Sequence, residues 1–253
     1  MKIKKIFYYL KSLLLLFNNS YNKVDFVLFF IGRRTYYIFN NKVKFKIKSL
    51  LDLLILKETV IDDFYRLKKT VSKNPKIIVD IGGGFGDFSI YAAKMYQNAK
   101  IFVFEPNPIL YQLLKQNVRT SKAKNIFMYP LAISNKRELS INISGELTKT
   151  SSFFDLKTSK KIITVKTESL SILLKQQTID FLKIDCEGGE WDILSNLSDQ
   201  EMDNIKIISL EYHNQYMESL DKKLIKKLIN HFTILHQPDP YDKNIGHIYA
   251  TKK

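Results

Sequence analysis

The chain has 253 residues, 45% hydrophobic and 26% charged, which fits one large folded domain with an appendage and excludes a disordered chain. Its single cysteine, Cys186, excludes an internal disulfide framework and a multi-cysteine zinc site, and fits a reducing, cytoplasmic compartment. The net charge of +15 is uneven: residues 1–75 carry sixteen Lys/Arg against five Asp/Glu, so +11, which leaves +4 for 76–253.

This asymmetry divides the chain into a basic N-terminal cap or lid over 1–75 and a nearly balanced domain over 76–253. Lys2, Lys4 and Lys5 precede an apolar run that Lys11 interrupts. A secretory signal needs an unbroken apolar core and a small-residue cleavage site. A spanning helix needs ~20 apolar residues. Residues 3–17 suit instead a basic amphipathic helix on a membrane surface, and 1–31 is the segment expected to make peripheral membrane contact. Residues 24–31 are a second apolar run, also too short to span. Residues 36–38 and 43–47 read as a hairpin around Asn40-Asn41. A helix is expected over 49–69, capped by Ser49 and ended by Lys73-Asn74-Pro75.

Strands and helices then alternate. Strands are expected at 76–81, 100–105, 125–134, 178–184 and 205–211. Helices are expected at 86–96, from Pro108 to 118 with Asn107 as cap, at 190–197 and at 219–230. Residues 138–167 interrupt the pattern with two extra strands, 139–143 and 162–166, around a polar insertion at 144–160. Strands at 232–236 and 245–250 close the chain as a hairpin. Alternating βα units imply a parallel sheet with helices on both faces and one antiparallel member.

The first core strand runs into Gly82-Gly83-Gly84-Phe85-Gly86-Asp87. Strand, glycine loop and helix form the opening unit of a nucleotide-binding α/β domain. No Gly-Lys-Ser/Thr follows, so the loop is not a triphosphate cradle. Gly82, Gly84 and Gly86 do not follow the dinucleotide spacing, and Asp87 at the helix start disfavours a pyrophosphate. A cofactor bearing an ammonium and a sulfonium tolerates these acids. Glu105, closing the second strand, is placed to accept both ribose hydroxyls of a nucleoside.

Val79–Asp87, Phe104-Glu105-Pro106-Asn107-Pro108 and Leu131-Ala132-Ile133-Ser134 resemble the S-adenosylmethionine (SAM) motifs of class I methyltransferases. Ile179-Asp180-Phe181-Leu182-Lys183-Ile184-Asp185-Cys186-Glu187-Gly188-Gly189-Glu190 resembles the signature of the FkbM methyltransferases. Ser209-Leu210-Glu211-Tyr212-His213 is similar to that family's fifth-strand ending. The resemblance implies a seven-stranded Rossmann-like sheet whose last strand is antiparallel, with SAM as cofactor. It implies O-methylation of hydroxyls on surface glycans or secondary metabolites. Gly82 and Gly84 would line the methionine part of SAM, and Asp80 would reach its amino group through water. Glu105 would hold the ribose, with Pro106, Asn107 and Ala132 beside the adenine. Gly83 departs from the pattern, since many relatives carry a bulkier or polar residue there. A Glu-bearing segment over the cofactor is matched by Glu58, so 46–66, with Tyr65 and Arg66, would form part of a lid.

An aliphatic hydroxyl is a weak nucleophile, so methyl transfer needs alignment and help with the proton. His213 is expected as general base because its ordinary pKa lies near neutrality. Asp185 would orient His213 or contact the acceptor hydroxyl. Glu187, Glu190 and Glu211 would bind the substrate, and Lys183 would pair with these carboxylates. No metal is assigned, because no clear ligand spacing stands out, although Asp185, Glu187 and Glu211 could supply oxygen ligands to Mg²⁺. Trp191 is read as core, and His231, His236 and His247 as structural or surface groups. The expected acceptor is a hydroxyl of a glycan or glycosylated lipid, with a small polyketide-like metabolite as the alternative. Nucleic acid is disfavoured, because Asp185-Cys186-Glu187-Gly188 stands where base methyltransferases carry Asn/Asp-Pro-Pro-Tyr/Phe, and its acids repel phosphates. The oligomeric state is left open.

Overall fold

The computed structural model describes residues 2–33, 35–71, 74–143, 162–174, 177–240 and 242–253. The polar insertion expected at 144–160 lies outside them.

Two helices start the chain, α1 (Lys2–Asn19) and α2 (Lys23–Phe30), the second capped by the Asn22 side chain. The expected hairpin follows as β1 (Tyr36–Ile38) and β2 (Lys44–Lys46), paired antiparallel. Ser49 caps α3 (Leu50–Leu56) in a reciprocal capping box with Asp52. The helix does not run on to 69. It passes into a π-helical turn, Lys57–Ile61, and the chain then bends before a short α4 (Leu67–Thr70). Asp63 and Arg66 both take positive φ, 54° and 59°, and the Asp63 carboxylate accepts from the Lys68 N–H. Asp tolerates this geometry, and its carboxylate offers the backbone an alternative to continued helix. The bend turns Phe64 and Tyr65 inward.

Then come β3 (Ile77–Ile81), α5 (Asp87–Met95), β4 (Lys100–Phe104), α6 (Pro108–Ser121), β5 (Ile126–Tyr129), β6 (Ala132–Ile133), β7 (Glu138–Asn142) and β8 (Ile162–Glu168). The rest are α7 (Leu170–Leu174), β9 (Phe181–Ile184), α8 (Glu190–Ser195), α9 (Asp199–Asp203), β10 (Ile207–His213), α10 (Leu220–Leu228), β11 (Phe232–Pro238) and β12 (Ile245–Lys252). All five residues of β3 are buried, so this β-branched run sits inside a sheet covered on both faces. The seven-stranded order is β11-β12-β10-β9-β3-β4-β5, with β12 antiparallel to both neighbours and the other pairs parallel. The chain runs outward from β3 to β5 and then returns beside β3 as β9. This reversal opens a crevice at the carboxyl ends of β3 and β9.

The expected strand over 125–134 is split. Pro130 has no N–H for the ladder, so β5 stops before it. Beyond it, β6 leaves the main sheet and pairs with β8, which also pairs antiparallel with β7.

The N-terminal segment shares the core of one sheet face. Leu16, Phe26, Tyr37, Phe45, Leu53 and Leu56 pack in one cluster with Phe85, Phe88, Ile90 and Leu114. Fully buried Asn117 of α6 fastens this joint: it accepts from the Lys46 N–H at 2.6 Å and donates to the carbonyls of Lys46 and Phe85 at 3.2 and 2.9 Å. Asn117→Ala strands these groups. The expected cost is about 2 kcal/mol, or about 5 °C in Tm, read by calorimetry. An unchanged Tm would mean that this joint contributes nothing.

Candidate active site

The glycine loop folds back over β4, because the N–H groups of Gly82 and Gly83 both donate to the Phe104 carbonyl at 3.0 Å. Gly82 has φ +79°, and a Cβ there would lie 1.7 Å from the Asp185 carbonyl oxygen. Only glycine allows the loop to cross β9 this closely. A Cβ at Gly84 would meet nothing nearer than 4.0 Å, so that backbone borders open space. Gly83, the departure noted above, fits its place: a side chain would meet Val103 at 2.3 Å.

The open space is a cavity of about 740 Å³ over the carboxyl ends of the central strands. Gly82, Gly84, Glu105, Pro106 and Ala132, five of the residues expected around the cofactor, line it. Glu105 is only 4% exposed. Its Oε2 accepts from the Gly84 N–H at 2.7 Å and its Oε1 from the Asn107 N–H at 2.8 Å. The carboxylate is thus fixed in orientation, and each oxygen keeps a lone pair. Burial pushes its pKa up to about 7, against the pull of these two amides. A donor set of one oriented carboxylate and a glycine backbone fits a ribose and an amino-acid end.

Two residues assigned to the cofactor stand elsewhere. Asn107 lies behind the wall, where its side chain caps α6 through the Ile109 N–H at 2.9 Å. Asp80 is fully buried and off the wall. The Lys183 ammonium lies 3.0 Å from it, and the Ser89 hydroxyl donates to it. Buried charge demands such a partner, so Asp80 serves Lys183 instead of reaching a ligand. Lys183 in turn donates to the Gly82 carbonyl at 2.8 Å, pinning the loop.

Beside the loop, the ends of β9 and β10 bring the expected groups together. Asp185, Glu187 and Glu211 line the cavity. One donor atom each from Asp185, Glu211 and His213 lies within 4.8 Å of the others. That spacing suits a divalent ion, but Lys183 already stands 3.9 Å from Asp185. Asp185 also accepts from the Tyr65 hydroxyl at 2.7 Å. Burial alone would raise its pKa, but Lys183 and His213 outweigh it and hold the carboxyl below its ordinary range.

His213 is 2% exposed and lies behind this wall. Its Nδ1 is 3.0 Å from Glu190 Oε1 and its Nε2 3.5 Å from Glu187 Oε1. Burial disfavours charge on the ring, but Glu190, Glu187 and Glu211 push its pKa up to about 10. These neighbours favour the charged form of the ring over one that could take a proton, and the ring stands behind the wall instead of on it, which argues against the expected general base. Glu190 is corrected likewise. It is completely buried, accepts from the Gly188 N–H at 3.1 Å, and holds His213 rather than substrate.

The segment expected as a lid borders the cavity in part. Glu58, Thr59 and Tyr65 line the cavity, while Arg66 does not. The Arg66 guanidinium lies instead over the Tyr249 ring, 4.8 Å from its centre. The Thr59 hydroxyl donates to Asp87 at 2.6 Å.

Residues 80–233 match the family profile of the methyltransferase FkbM domain, more than half of the chain. The chain belongs to the FkbM methyltransferase family. It is a SAM-dependent methyltransferase. Methyltransferase sdnD of Sordaria araneosa is 25% identical to it over 195 residues, 62% of this chain and 73% of that one. Methyltransferase 1 of Beauveria bassiana is 22% identical over 180 residues, 62% and 72% of the two chains. Among solved structures, an rRNA methylase from Streptococcus thermophilus superposes with a TM-score of 0.51 at 11% identity, over 76% of this chain and 96% of that one. SMU.1697c of Streptococcus mutans, a methyltransferase solved in complex with SAH, gives 0.50 at 8% identity, over 77% and 98%. These likenesses show the shared fold.

In this FkbM methyltransferase, residues that sequence reasoning passed over also stand at the cavity. Tyr8 and Tyr9 of α1 line the cavity, and the Tyr8 hydroxyl donates to Glu58 at 2.5 Å. Asp239 and Asp242, between β11 and β12, reach the wall from the far side. His247, expected as structural or surface, is buried, with its Nε2 3.5 Å from Glu211 Oε2. The antiparallel register sets Glu211 opposite His247, a pairing visible only once β12 is known to insert beside β10. Trp191 packs against the core, as expected.

Proposed function

We propose that this methyltransferase transfers a methyl group from SAM to a hydroxyl of a glycan or glycosylated lipid, in the cytoplasm. When bound, SAM supplies a methyl carbon activated by its sulfonium. Glu105 holds the ribose hydroxyls, the Gly82–Gly84 backbone borders the methionine end, and the lid from Glu58 to Tyr65 excludes water. Asp185 accepts the hydrogen bond of the acceptor hydroxyl and takes its proton as the oxygen attacks. Tyr65 and Lys183 orient its carboxylate. His213, charged and buried, holds Glu187 in place as a positioning residue.

The observation that carries the glycan reading is the acceptor wall. Asp185, Glu187, Glu211, Asp239 and Asp242 all line the cavity. Carboxylates suit the several hydroxyls of a sugar, whereas a polyketide-like acceptor calls for an apolar socket. Label transfer from methyl-labelled SAM tests this. Glycans or glycolipids with free hydroxyls should accept label, and transfer to apolar hydroxyl compounds alone would overturn the reading. Asp185→Asn should reduce transfer about 100-fold with SAM binding unchanged. Undiminished transfer would remove Asp185 from the proton step.

A further inference from the structure

Eighteen large apolar side chains are exposed among the described residues, and eleven of them lie between Phe7 and Leu51. They are ordered. Phe7, Leu10 and Leu14 recur at helical spacing on α1 and are 68%, 59% and 60% exposed, while Leu16 faces the core. On α2, Val24 and Val27, with Ile31 at its C-cap, repeat the pattern opposite buried Phe26. Monomers rarely leave so much apolar surface uncovered without a use. The same segment, residues 1–51, contains eleven Lys/Arg and one acid, Asp25. No helix of the described residues is long and apolar enough to cross a membrane.

We infer that this face docks on an anionic phospholipid bilayer, and that the acceptor enters the cavity from that bilayer as a lipid-anchored molecule. Apolar stripes bordered by cations bury in the acyl boundary while the charges meet lipid phosphates. A second copy of this chain, with the same +10 segment, would have to overcome that charge. Entry from the bilayer follows from continuity. Tyr9 and Leu51 are both solvent-exposed and part of the cavity wall, so the apolar face runs to the mouth of the site. A lipid tail kept in the bilayer would leave a headgroup hydroxyl free to reach Asp185. The entry route rests on the proposed acceptor; the docking does not.

Flotation of the full chain with phosphatidylcholine vesicles, with and without phosphatidylglycerol, tests the surface. The protein should float with the anionic vesicles, and high salt should weaken this. Leu10→Asp with Leu14→Asp, both outside the cavity wall, should abolish flotation while leaving Tm and SAM affinity unchanged. Transfer to a lipid-anchored glycan should fall about tenfold or more in that variant, with transfer to a soluble glycan unchanged. Failure of the native chain to float, or self-association through this face in sedimentation without flotation, would overturn the docking. Flotation without methylation of any glycolipid would leave the docking intact and sink the proposed acceptor.

Discussion

Glu105→Ala is expected to weaken SAM binding by about 3–4 kcal/mol, a few hundred-fold in Kd, as read by calorimetry. The size follows from the setting. A carboxylate oriented by two backbone amides presents two acceptors to two ribose hydroxyls, and hydrogen bonds to charged groups are the strong ones. Alanine removes both and leaves the Gly84 and Asn107 N–H groups unpaired. The pH dependence supplies an independent check. With the pKa of Glu105 pushed up to about 7, binding that needs the carboxylate weakens as pH falls below about 7, approaching tenfold per unit. For folding the sign is opposite. The raised pKa contributes stability that is fully present below its ordinary value of 4.5 and is lost as pH rises through about 7. Glu105→Gln should abolish the acidic weakening of SAM affinity. The same pH profile in that variant would assign the titration to another group and remove Glu105 from the ribose.

The architecture was legible because its signals are local. Alternating apolar runs, the glycine loop, Asn107 before Pro108 and the stretch 179–190 each carry their meaning within a few residues. Glu105 was legible by spacing alone, since a strand end has one place to point. The Pro130 break could have been read from the missing N–H, and α9 from Ser198 and Glu201, which form a capping box. The division of the acids into wall and support was not legible. Asp185, Glu187 and Glu211 face the cavity, whereas Asp80 and Glu190 face Lys183 and His213. A buried acid goes where its counter-ion is, and the partners here are 103 and 23 residues away. Folding also changes what His213 is. Its ordinary pKa suggests a base, but three carboxylates converging on a buried ring favour its charged form. Tyr8 on the cavity wall was hidden for the same reason: it meets Glu58 across 50 residues.

Lys183→Met should cost about 3–5 kcal/mol of stability in denaturant unfolding. Lys183 is 4% exposed, and burial disfavours its charge, yet Asp80, Asp185 and Asp87 together hold its pKa above the usual lysine range. Removing it leaves Asp80, fully buried, with the Ser89 hydroxyl but no cation. The double variant Asp80→Asn, Lys183→Met deletes both charges, so most of the loss should be recovered. A double variant as unstable as the two single losses added together would deny that the pair is coupled. Function should separate from stability. The Gly82 carbonyl would still lack its donor, and Asp185 would lose the cation that helps keep it ionised. SAM affinity and methyl transfer should therefore stay depressed in the refolded double variant. Such an outcome would show that one buried ammonium sets both the shape of the glycine loop and the charge of the carboxylate that meets the acceptor. Full recovery of transfer would instead confine Lys183 to the core.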